Sequence, residues 1–301
     1  MRFKKLDLNL LVALDHMLAD RSVSIAADKM HMSQSAMSNA LTRLRTYFDD
    51  PLLVQVGRRM ELTPRAEAMR GPVRDILVRL EATIETAPDF HPRESNREFT
   101  ILLSDYTQSV FIPEVLALAR NEAPGVRFRL QPQTAHPYSL LERGEVDVLV
   151  APEQFCSPEH PAEQIYSDRY VCVVWAGGAL AAGSLDQTAY QRAAHAVMVP
   201  PNEANSVESL ILAERGIERR VEVTTFSFSA LPQLIVGTDR IATVHKRLAD
   251  QAVAHLPLVQ KELPITLEPL HQNMQWHSYR SRDPGLGWLL DLFRRAAARL
   301  D

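Results

Sequence analysis

The sequence predicts an α/β protein in which a small head of helices and one hairpin precedes a larger body of alternating strands and helices. Three observations support this division. The length of 301 residues suggests about two domains. The first 65 residues space their apolar side chains as helices do and then show two strand-like runs, whereas the remainder alternates apolar runs with helical segments. A hydrophobic content of 46% is enough to bury real cores and excludes a disordered chain.

The charge of the chain is distributed unevenly between these two parts. Residues 1–65 contain ten Lys or Arg and seven Asp or Glu, a net charge of +3, although the whole chain carries −4. The remaining residues therefore carry −7. A basic head on an acidic body suggests that the head alone meets a polyanion.

Cysteine count and hydropathy restrict the cellular setting that we expect. Cys156 and Cys172 are too few for a disulfide scaffold and fit a reducing cytoplasm. The longest wholly apolar runs are short, such as residues 171–176, so we expect no membrane span. Asn9 and Asp15 interrupt the first apolar stretch, so we expect no secretory signal.

Three short helices are predicted for the start of the head. Apolar residues at helical spacing predict the first over residues 10–18. Ser22 or Ser24 can cap a second helix over 25–30, whose two adjacent alanines allow a close helix crossing. Ser33 can cap a third helix, and this arrangement is helix-turn-helix geometry. The apolar face of the third helix comprises Met37, Ala40, Leu41, Leu44 and Phe48.

The opposite face of the third helix indicates a contact with DNA. It offers hydroxyls, amides and a guanidinium, and no carboxylate occurs before Asp49. Such side chains read base edges in a major groove, where phosphates repel carboxylates. The alternative is an ordinary polar face in a small helical bundle. The predicted DNA-binding residues on this helix are Ser33, Gln34, Ser35, Ser38, Asn39, Thr42 and Arg43.

A basic hairpin follows the third helix. Residues 53–56 and 60–62 are predicted as two short strands joined by Gly57-Arg58-Arg59. A hairpin beside a recognition helix is a wing, and Arg58 and Arg59 can enter the minor groove or hold phosphates. The alternative for either arginine is a solvated basic turn. The expected domain is a winged helix-turn-helix over residues 1–63.

A long linker helix is predicted over residues 64–87, with Thr63 as cap and Pro64 at its first position. The apolar stripe of this helix must be buried against another element, which could be the same helix of a second chain or the head itself. Gly71-Pro72 should kink the helix. Pro88 and Pro92 end it, so residues 88–96 are the expected hinge. The predicted dimerisation residues are Met69, Val73, Ile76, Leu77, Leu80 and Ile84.

The body, residues 97–301, is predicted as α/β layers with mainly parallel sheet. Its predicted strands are residues 99–103, 126–130, 146–151, 170–175, 196–199 and 241–244, with helices between them. Ligands in such sheets bind beyond the carboxyl ends of the strands. The positions selected by this rule are Ser104, Asp105, Tyr106, Thr107, Gln133, Thr134, His136, Pro152, Pro201, Asn202, Asn205, Ser206, Phe226 and His245.

These positions mix aromatic rings with neutral hydrogen-bonding groups. They suit a small molecule that contains a ring, and loop capping is the alternative for each residue taken singly. Lys246 and Arg247 follow His245, so an anionic ligand stays open. His277 is a further candidate for the cleft, although a histidine satisfied within a strand explains it equally well.

Other classes of protein receive little support from the sequence. It contains no Gly-x-Ser-x-Gly elbow, no His-Glu-x-x-His pair, no P-loop and no dinucleotide glycine fingerprint, so we expect no enzyme, cofactor or metal site. Cys156 with His160 leaves a thiol-dependent enzyme as a weak alternative. A redox-sensing regulator using Cys156 and Cys172, or a constitutive regulator, also stays open, but Cys172 within an apolar run fits an inert buried thiol better.

Residues 26–69 resemble the DNA-binding head of LysR-type transcriptional regulators. The matching motifs are Ser33-Gln34 with Ala36 and Ser38, the leucines of the third helix, Leu52-Leu53, and Thr63-Pro64. Ser35 stands where the family often has proline. Residues 1–15, 228–244 and 282–294 further resemble the NodD/NahR-like branch, so the similarity covers nearly the whole chain.

The resemblance implies properties that the residues alone do not. It implies a body folded as two lobes like a periplasmic binding protein, with lobe I over 97–165 and 269–301 and lobe II over 166–268. It also implies an aromatic inducer between the lobes, activation of transcription, and RNA polymerase as a partner. The expected assembly is a homodimer or homotetramer on double-stranded operator DNA, because two-fold protein symmetry matches a palindromic site.

Overall fold

The computed structural model describes residues 7–57, 59–85, 89–133, 136–200 and 206–300. The chain divides into two compact units, residues 1–86 and 87–301, which are treated separately below. Among the described residues, no helix combines the length and apolarity that a membrane crossing requires.

The first unit contains the three predicted helices and the predicted hairpin. They are α1 (Leu8–Asp20), α2 (Val23–Lys29), α3 (Gln34–Phe48), β1 (Leu53–Val56), β2 (Arg59–Leu62) and α4 (Pro64–Glu85). The hydroxyl of Ser22 accepts a hydrogen bond from the Ile25 amide at 3.3 Å, and Ser33 accepts one from the Ala36 amide at 3.2 Å. Both serines are therefore N-caps, since they satisfy amides that the helix leaves free.

One apolar core joins the helices of this unit. Leu14, Met17, Met37 and Leu44 are fully buried in it, and the buried Ala26-Ala27 pair lets α2 and α3 approach closely. The strands β1 and β2 pair antiparallel, with Leu53 opposite Leu62. The unit is a winged helix-turn-helix.

The wing is tied to α3 by a short polar network. Arg45 on α3 donates to the carbonyls of Pro51 at 2.7 Å and Leu53 at 2.8 Å. Asp50 accepts from the Leu52 amide and from the Thr63 hydroxyl, both at 2.7 Å. The Thr63 bond is the largest cause of the lowered pKa of Asp50. These bonds fix the orientation of the hairpin relative to α3 and hold Leu52 at a φ of +59°.

The second unit contains two five-stranded sheets. The first sheet has the order β4-β3-β5-β12-β6, and the second has the order β11-β7-β10-β8-β9. The strands of the first are β3 (Glu98–Leu103), β4 (Arg127–Pro132), β5 (Val148–Pro152), β6 (Ala162–Asp168) and β12 (Leu270–Gln275). Those of the second are β7 (Tyr170–Trp175), β8 (Ala194–Met198), β9 (Arg220–Thr225), β10 (Arg240–His245) and β11 (Leu258–Lys261).

Helices flank both sheets. They are α5 (Asp105–Val110), α6 (Ile112–Glu122), α7 (Pro137–Glu142), α8 (Gln187–Arg192), α9 (Val207–Glu214), α10 (Leu231–Ile235), α11 (Lys246–Val253) and α12 (Pro284–Ala297). Helices α5 and α6 meet at Phe111. The fold class is the predicted one, α/β with a two-sheet body.

The expectation of mainly parallel sheet is wrong, because each sheet is mixed. Strands β3, β4 and β5 are parallel, but β12 is antiparallel to both β5 and β6. Likewise β8 is parallel to β9 and β10, while β7 is antiparallel to β10 and β11. The chain crosses between the sheets at β6 and β7, separated only by Arg169, and returns at β12. Strands β7 and β12, which the chain forms as it enters each sheet after a crossing, run antiparallel to the other strands of that sheet. The local sequence carries no signal of strand direction.

The crossing also locates the lobe boundary. Strand β6 belongs to the first sheet as far as Asp168, three residues beyond the expected end of lobe I at residue 165. Below, lobe I denotes the first sheet with its helices, and lobe II the second.

Candidate functional site

The polar face predicted on α3 lies on the surface of the head. Ser33, Gln34, Ser35, Ser38, Asn39, Thr42 and Arg43 are all exposed. Two of these side chains make local contacts. The Thr42 hydroxyl donates to the Ser38 carbonyl at 3.0 Å, and Arg43 forms an ion pair with Asp7 at 3.2 Å in which both side chains are at least half exposed. An exposed pair of this kind contributes little stability, so Arg43 can exchange Asp7 for a phosphate at small cost. The face offers donors and acceptors at helical spacing.

Only one of the two predicted wing arginines can be placed. Arg59 begins β2 and is exposed. Arg58 lies outside the described residues. Because Arg45 and Asp50 fix the hairpin to α3, Arg59 is held on the same rigid body as the polar face.

The predicted dimerisation stripe of α4 divides into two sets. Val73 and Leu77 are only 6% and 3% exposed because they pack into the core of the head. Met69 packs against the same core, and Leu80 is half-buried. Ile76 and Ile84 are 53% and 71% exposed. Val73 and Leu77 are therefore not available to a second chain, which corrects that part of the prediction, and Ile76 and Ile84 stay as candidates.

A cavity of about 380 Å³ lies between the two lobes of the second unit. Eight of the residues selected from the sequence line it: Ser104, Asp105, Tyr106, Gln133, Pro152, Ser206, Phe226 and His245. They come from the carboxyl ends of strands in both sheets, as the rule for α/β sheets predicts. The cavity is mainly apolar, which is typical of small-molecule sites.

Other selected residues do not line this cavity. Thr107 is fully buried, and its amide and hydroxyl bond to Ser104 within the first turn of α5. His136 is exposed beside α7, and the next residue, Pro137, lines the cavity instead. His277 is satisfied elsewhere, with its Nδ1 accepting from the Tyr279 amide at 3.2 Å. Thr134, Pro201, Asn202 and Asn205 lie outside the described residues.

The structure adds residues that sequence reasoning missed. Tyr170 and Thr243 line the cavity from within strands, and Gln272 does so from β12, which the sequence reasoning had not identified. Glu208 lines it from the first turn of α9. Strand residues on the cavity side follow the alternation of a strand, so Tyr170 and Thr243 could have been found by that period once the sheet was known.

His245 is the centre of an aromatic cluster at the cavity wall. Its ring stacks on Tyr106 with 3.9 Å between centroids, and the rings of Tyr170 and Phe228 lie 5.0 and 5.1 Å away. Burial lowers the pKa of His245 to about 3, so the imidazole is neutral at physiological pH. Its Nδ1 is buried without a hydrogen-bond partner. A ligand that donates a hydrogen bond to such a buried, unpaired atom gains more binding free energy than it would from an atom that is already paired.

Two carboxyl groups connect the lobes beside this cluster. Asp168, at the end of β6 in lobe I, accepts from the Tyr106 hydroxyl of the same lobe at 2.7 Å and from the Arg247 amide of lobe II at 3.2 Å. Burial is the largest cause of the raised pKa of both Tyr106 and Asp168. Asp105 accepts from the Ser227 hydroxyl at 2.7 Å and from the Ser229 amide at 2.9 Å. Because Asp105 belongs to lobe I and both serines to lobe II, these bonds hold the cleft closed on that side.

A buried ion pair also contributes to the cavity lining. Glu208 pairs with Arg219, and both side chains are more than nine-tenths buried. The Ser206 hydroxyl donates to Glu208 at 2.7 Å. Lys246 and Arg247 left an anionic ligand as an alternative in the sequence analysis, but neither residue lines the cavity. Lys246 pairs with Asp250 at 2.6 Å, and Arg247 bonds to Asp168 and to the Leu300 carbonyl.

Neither cysteine has the surroundings of a reactive thiol. Burial raises the pKa of Cys156 to about 11 and that of Cys172 to about 12, which disfavours the thiolate. Within the described part of the chain, no group of three or more His, Cys, Asp or Glu is placed to hold a metal ion.

The two units together define a class of protein. A winged helix-turn-helix with an exposed polar recognition face is joined in one chain to a two-lobed α/β body with a cavity between its lobes. This is the architecture of a ligand-responsive DNA-binding regulator.

Comparisons with known proteins identify the family. A family described as bacterial regulatory helix-turn-helix protein, lysR family, matches residues 8–67, and the LysR substrate binding domain matches residues 92–298. Nodulation protein D 1 of Sinorhizobium fredii is 40% identical over 302 residues, covering 100% of this chain and 94% of that protein. The chain belongs to the LysR family of bacterial transcriptional regulators, and its full-length similarity is to nodulation protein D.

Solved structures agree with this assignment. A probable transcriptional regulator from Pseudomonas aeruginosa has 29% sequence identity and a TM-score of 0.67, covering 97% of this chain and 98% of that chain. A full-length OxyR variant from the same organism has a TM-score of 0.71 over 97% of this chain and 94% of that chain, and at 12% identity it shows the fold alone.

Proposed function

We propose that this regulator binds operator DNA through α3 and responds to a small aromatic inducer in the cavity between its lobes. The observation that carries the inducer proposal is the cavity itself, with the ring cluster of Tyr106, Tyr170 and His245 at its wall. A cavity of ~150 Å³ holds benzene. The volume of about 380 Å³ therefore admits two or three fused or linked rings.

The DNA-binding part of the proposal rests on the exposed face of α3. Ser38 and Asn39 occupy its centre and Arg59 presents a charge from the wing. Amide and hydroxyl groups discriminate bases, whereas arginines on a wing position the protein on the backbone. We propose a cytoplasmic location, because the bound operator DNA would lie there.

The regulatory mechanism follows from linkage. An inducer changes regulation only if it binds one arrangement of the protein better than another. We propose that the inducer alters the closure of the lobes, that α4 transmits the change, and that the spacing of paired heads on DNA shifts. Ile76 and Ile84 on α4 supply exposed apolar surface for pairing with a second chain. Activation, contact with RNA polymerase and assembly beyond a dimer are proposals that follow from the family resemblance.

A thermal-shift screen of the full chain with phenols, flavonoids and small aromatic acids tests the inducer proposal. A ligand that binds only the folded state raises the midpoint of unfolding. We expect hits whose effect is reduced by Phe226→Ala, since Phe226 lines the cavity but is 80% exposed and adds little to the core. Leu116→Ala, at an exposed apolar residue outside the cavity lining, is the control. Hits that respond equally to both variants would reject this cavity as the binding site.

A redox-sensing regulator is disfavoured by the surroundings of both cysteines. The raised pKa of both thiols and the full burial of Cys172 oppose reaction with peroxide.

A further inference from the structure

The charged groups of the cavity wall indicate which chemical class of ligand the cavity accepts. Two carboxylates, Asp105 and Glu208, line the cavity, and no Lys or Arg does so among the described residues. The sequences Thr134-Ala135 and 201–205, which lie outside the described residues, contain no Lys or Arg either. Among the described residues, no side chain of this wall therefore offers a positive charge to an aromatic carboxylate.

The remaining polar groups of the wall are neutral. The buried imidazole of His245 is uncharged at physiological pH, because burial lowers its pKa to about 3. Gln272 is 2% exposed, and its Oε1 is buried without a hydrogen-bond partner. Together with the carboxylates, these groups favour a ligand that donates hydrogen bonds and carries no negative charge, because a second anion in a partly buried site repels the first.

We propose that Glu208 is a specificity-determining residue that, with Asp105, excludes aromatic anions and selects uncharged rings that donate hydrogen bonds. Glu208 is suited to this role because Arg219 and Ser206 hold its carboxylate in place. Arg219 pairs with Glu208 but does not line the cavity, so an entering ligand meets Glu208 and not the guanidinium. This proposal rests on the proposed function, since it names the chemical class that the same cavity accepts.

Isothermal titration of the full-length protein with 2-naphthamide and 2-naphthoate tests the proposal. The two probes have the same ring system and nearly the same shape, but only the carboxylate is charged at pH 7. We expect the wild-type protein to bind the amide at least about tenfold more tightly. Glu208→Gln should reduce that ratio at least threefold, because it removes the negative charge and leaves Arg219 as the nearest charged group.

Two further variants keep the test decisive. Glu262→Gln is the matched control, since Glu262 also pairs with an arginine, Arg169, but does not line the cavity, and it should leave the ratio unchanged. Asp105→Asn keeps an oxygen acceptor for Ser227 and Ser229 and replaces Glu208→Gln in the test if the latter variant does not fold. It should also reduce the ratio of the affinities for 2-naphthamide and 2-naphthoate.

The outcomes separate this proposal from the proposed function. Equal or tighter binding of 2-naphthoate by the wild-type protein would overturn the charge selection and leave the ring-binding cavity intact. A ratio that is unchanged in the folded Glu208 and Asp105 variants would overturn it as well. Binding of neither compound would overturn both the charge selection and the aromatic-inducer proposal.

Discussion

Asn39 and Arg59 are expected to play different roles in binding DNA. Asn39→Ala should lower the discrimination between cognate and altered sites by about 1–3 kcal/mol, since the amide can make a bidentate contact with a base. Arg59→Ala should weaken binding to all sequences evenly and reduce the slope of log affinity against log salt by about 0.9. Gel-shift titrations at several salt concentrations measure both effects.

A matched control exists for this pair of substitutions. Asp75 is exposed on α4, away from the polar face of α3, so Asp75→Asn should preserve discrimination. If Arg59→Ala changes sequence preference and Asn39→Ala leaves it intact, the assigned roles are reversed.

His245 should make the body sensitive to acid. Its pKa is about 3 in the folded protein and 6.5 in the unfolded chain, so between these values the unfolded state binds a proton that the folded state does not. Stability therefore falls as the pH decreases below about 6.5, by up to ~1.4 kcal/mol per pH unit from this group. His245→Phe keeps a ring for stacking on Tyr106 and should reduce the slope of that part of the profile, leaving the contribution of His195, whose pKa burial lowers to about 4.

Urea unfolding between pH 4.5 and 6.5 measures this dependence. Replacing the exposed His91 with Gln provides the control and should leave the slope as it is in the wild-type protein. A His245→Phe profile as steep as the wild-type profile would show that other groups cause the acid sensitivity.

Cys156 is expected to be dispensable. Because burial raises the pKa of its thiol to about 11, little thiolate is present at neutral pH. Cys156→Ser should keep the response to inducer in a reporter assay, and peroxide should alter neither protein. Loss of a peroxide response in the variant would instead support the redox-sensing alternative.

At the scale of elements, substitutions can separate the packing of α4 in the core of the head from its proposed pairing with a second chain. Leu77→Ala removes a side chain from the core of the head and should cost about 2–5 kcal/mol of stability. Ile84→Ser changes a residue that is 71% exposed and should affect assembly with little effect on stability. Sedimentation and thermal unfolding of both variants distinguish the two effects. An unchanged oligomeric state in Ile84→Ser together with Ile76→Ser would remove this surface from the dimer interface.

The head could be predicted from sequence more fully than the body. Its signals are local: serine caps at Ser22 and Ser33, the period of the apolar residues, and the sequence Gly-Arg-Arg between two strand-like runs. The stripe on α4 shows the limit of this approach, because the period marks Val73 and Ile76 alike. Only the fold shows that the head covers the first and leaves the second exposed.

The cavity illustrates what local sequence cannot supply. Residues that follow strands were selected by a topological rule, and Asp105, Tyr106 and His245 line the cavity for that reason. Glu208 and Gln272 were missed because one lies in a helix and the other in a strand without an apolar pattern. Their role depends on the crossing of the chain between two sheets, which brings residues more than 100 positions apart to one wall.

At the scale of the whole molecule, an inducer should change the complex with DNA. If closure of the lobes is transmitted through α4, footprinting with inducer should show a shifted or shortened protected region, and the DNA bend should relax. An unchanged footprint together with an unchanged bend would reject this mechanism.

The central claim is that the face of α3 from Ser33 to Arg43 discriminates between bases. Its most direct test compares the affinity of the purified full chain for a duplex selected from genomic fragments with its affinity for the same duplex scrambled, at physiological salt. The account predicts a preference of about a thousandfold or more for the selected duplex. Equal affinity for the two duplexes would contradict it.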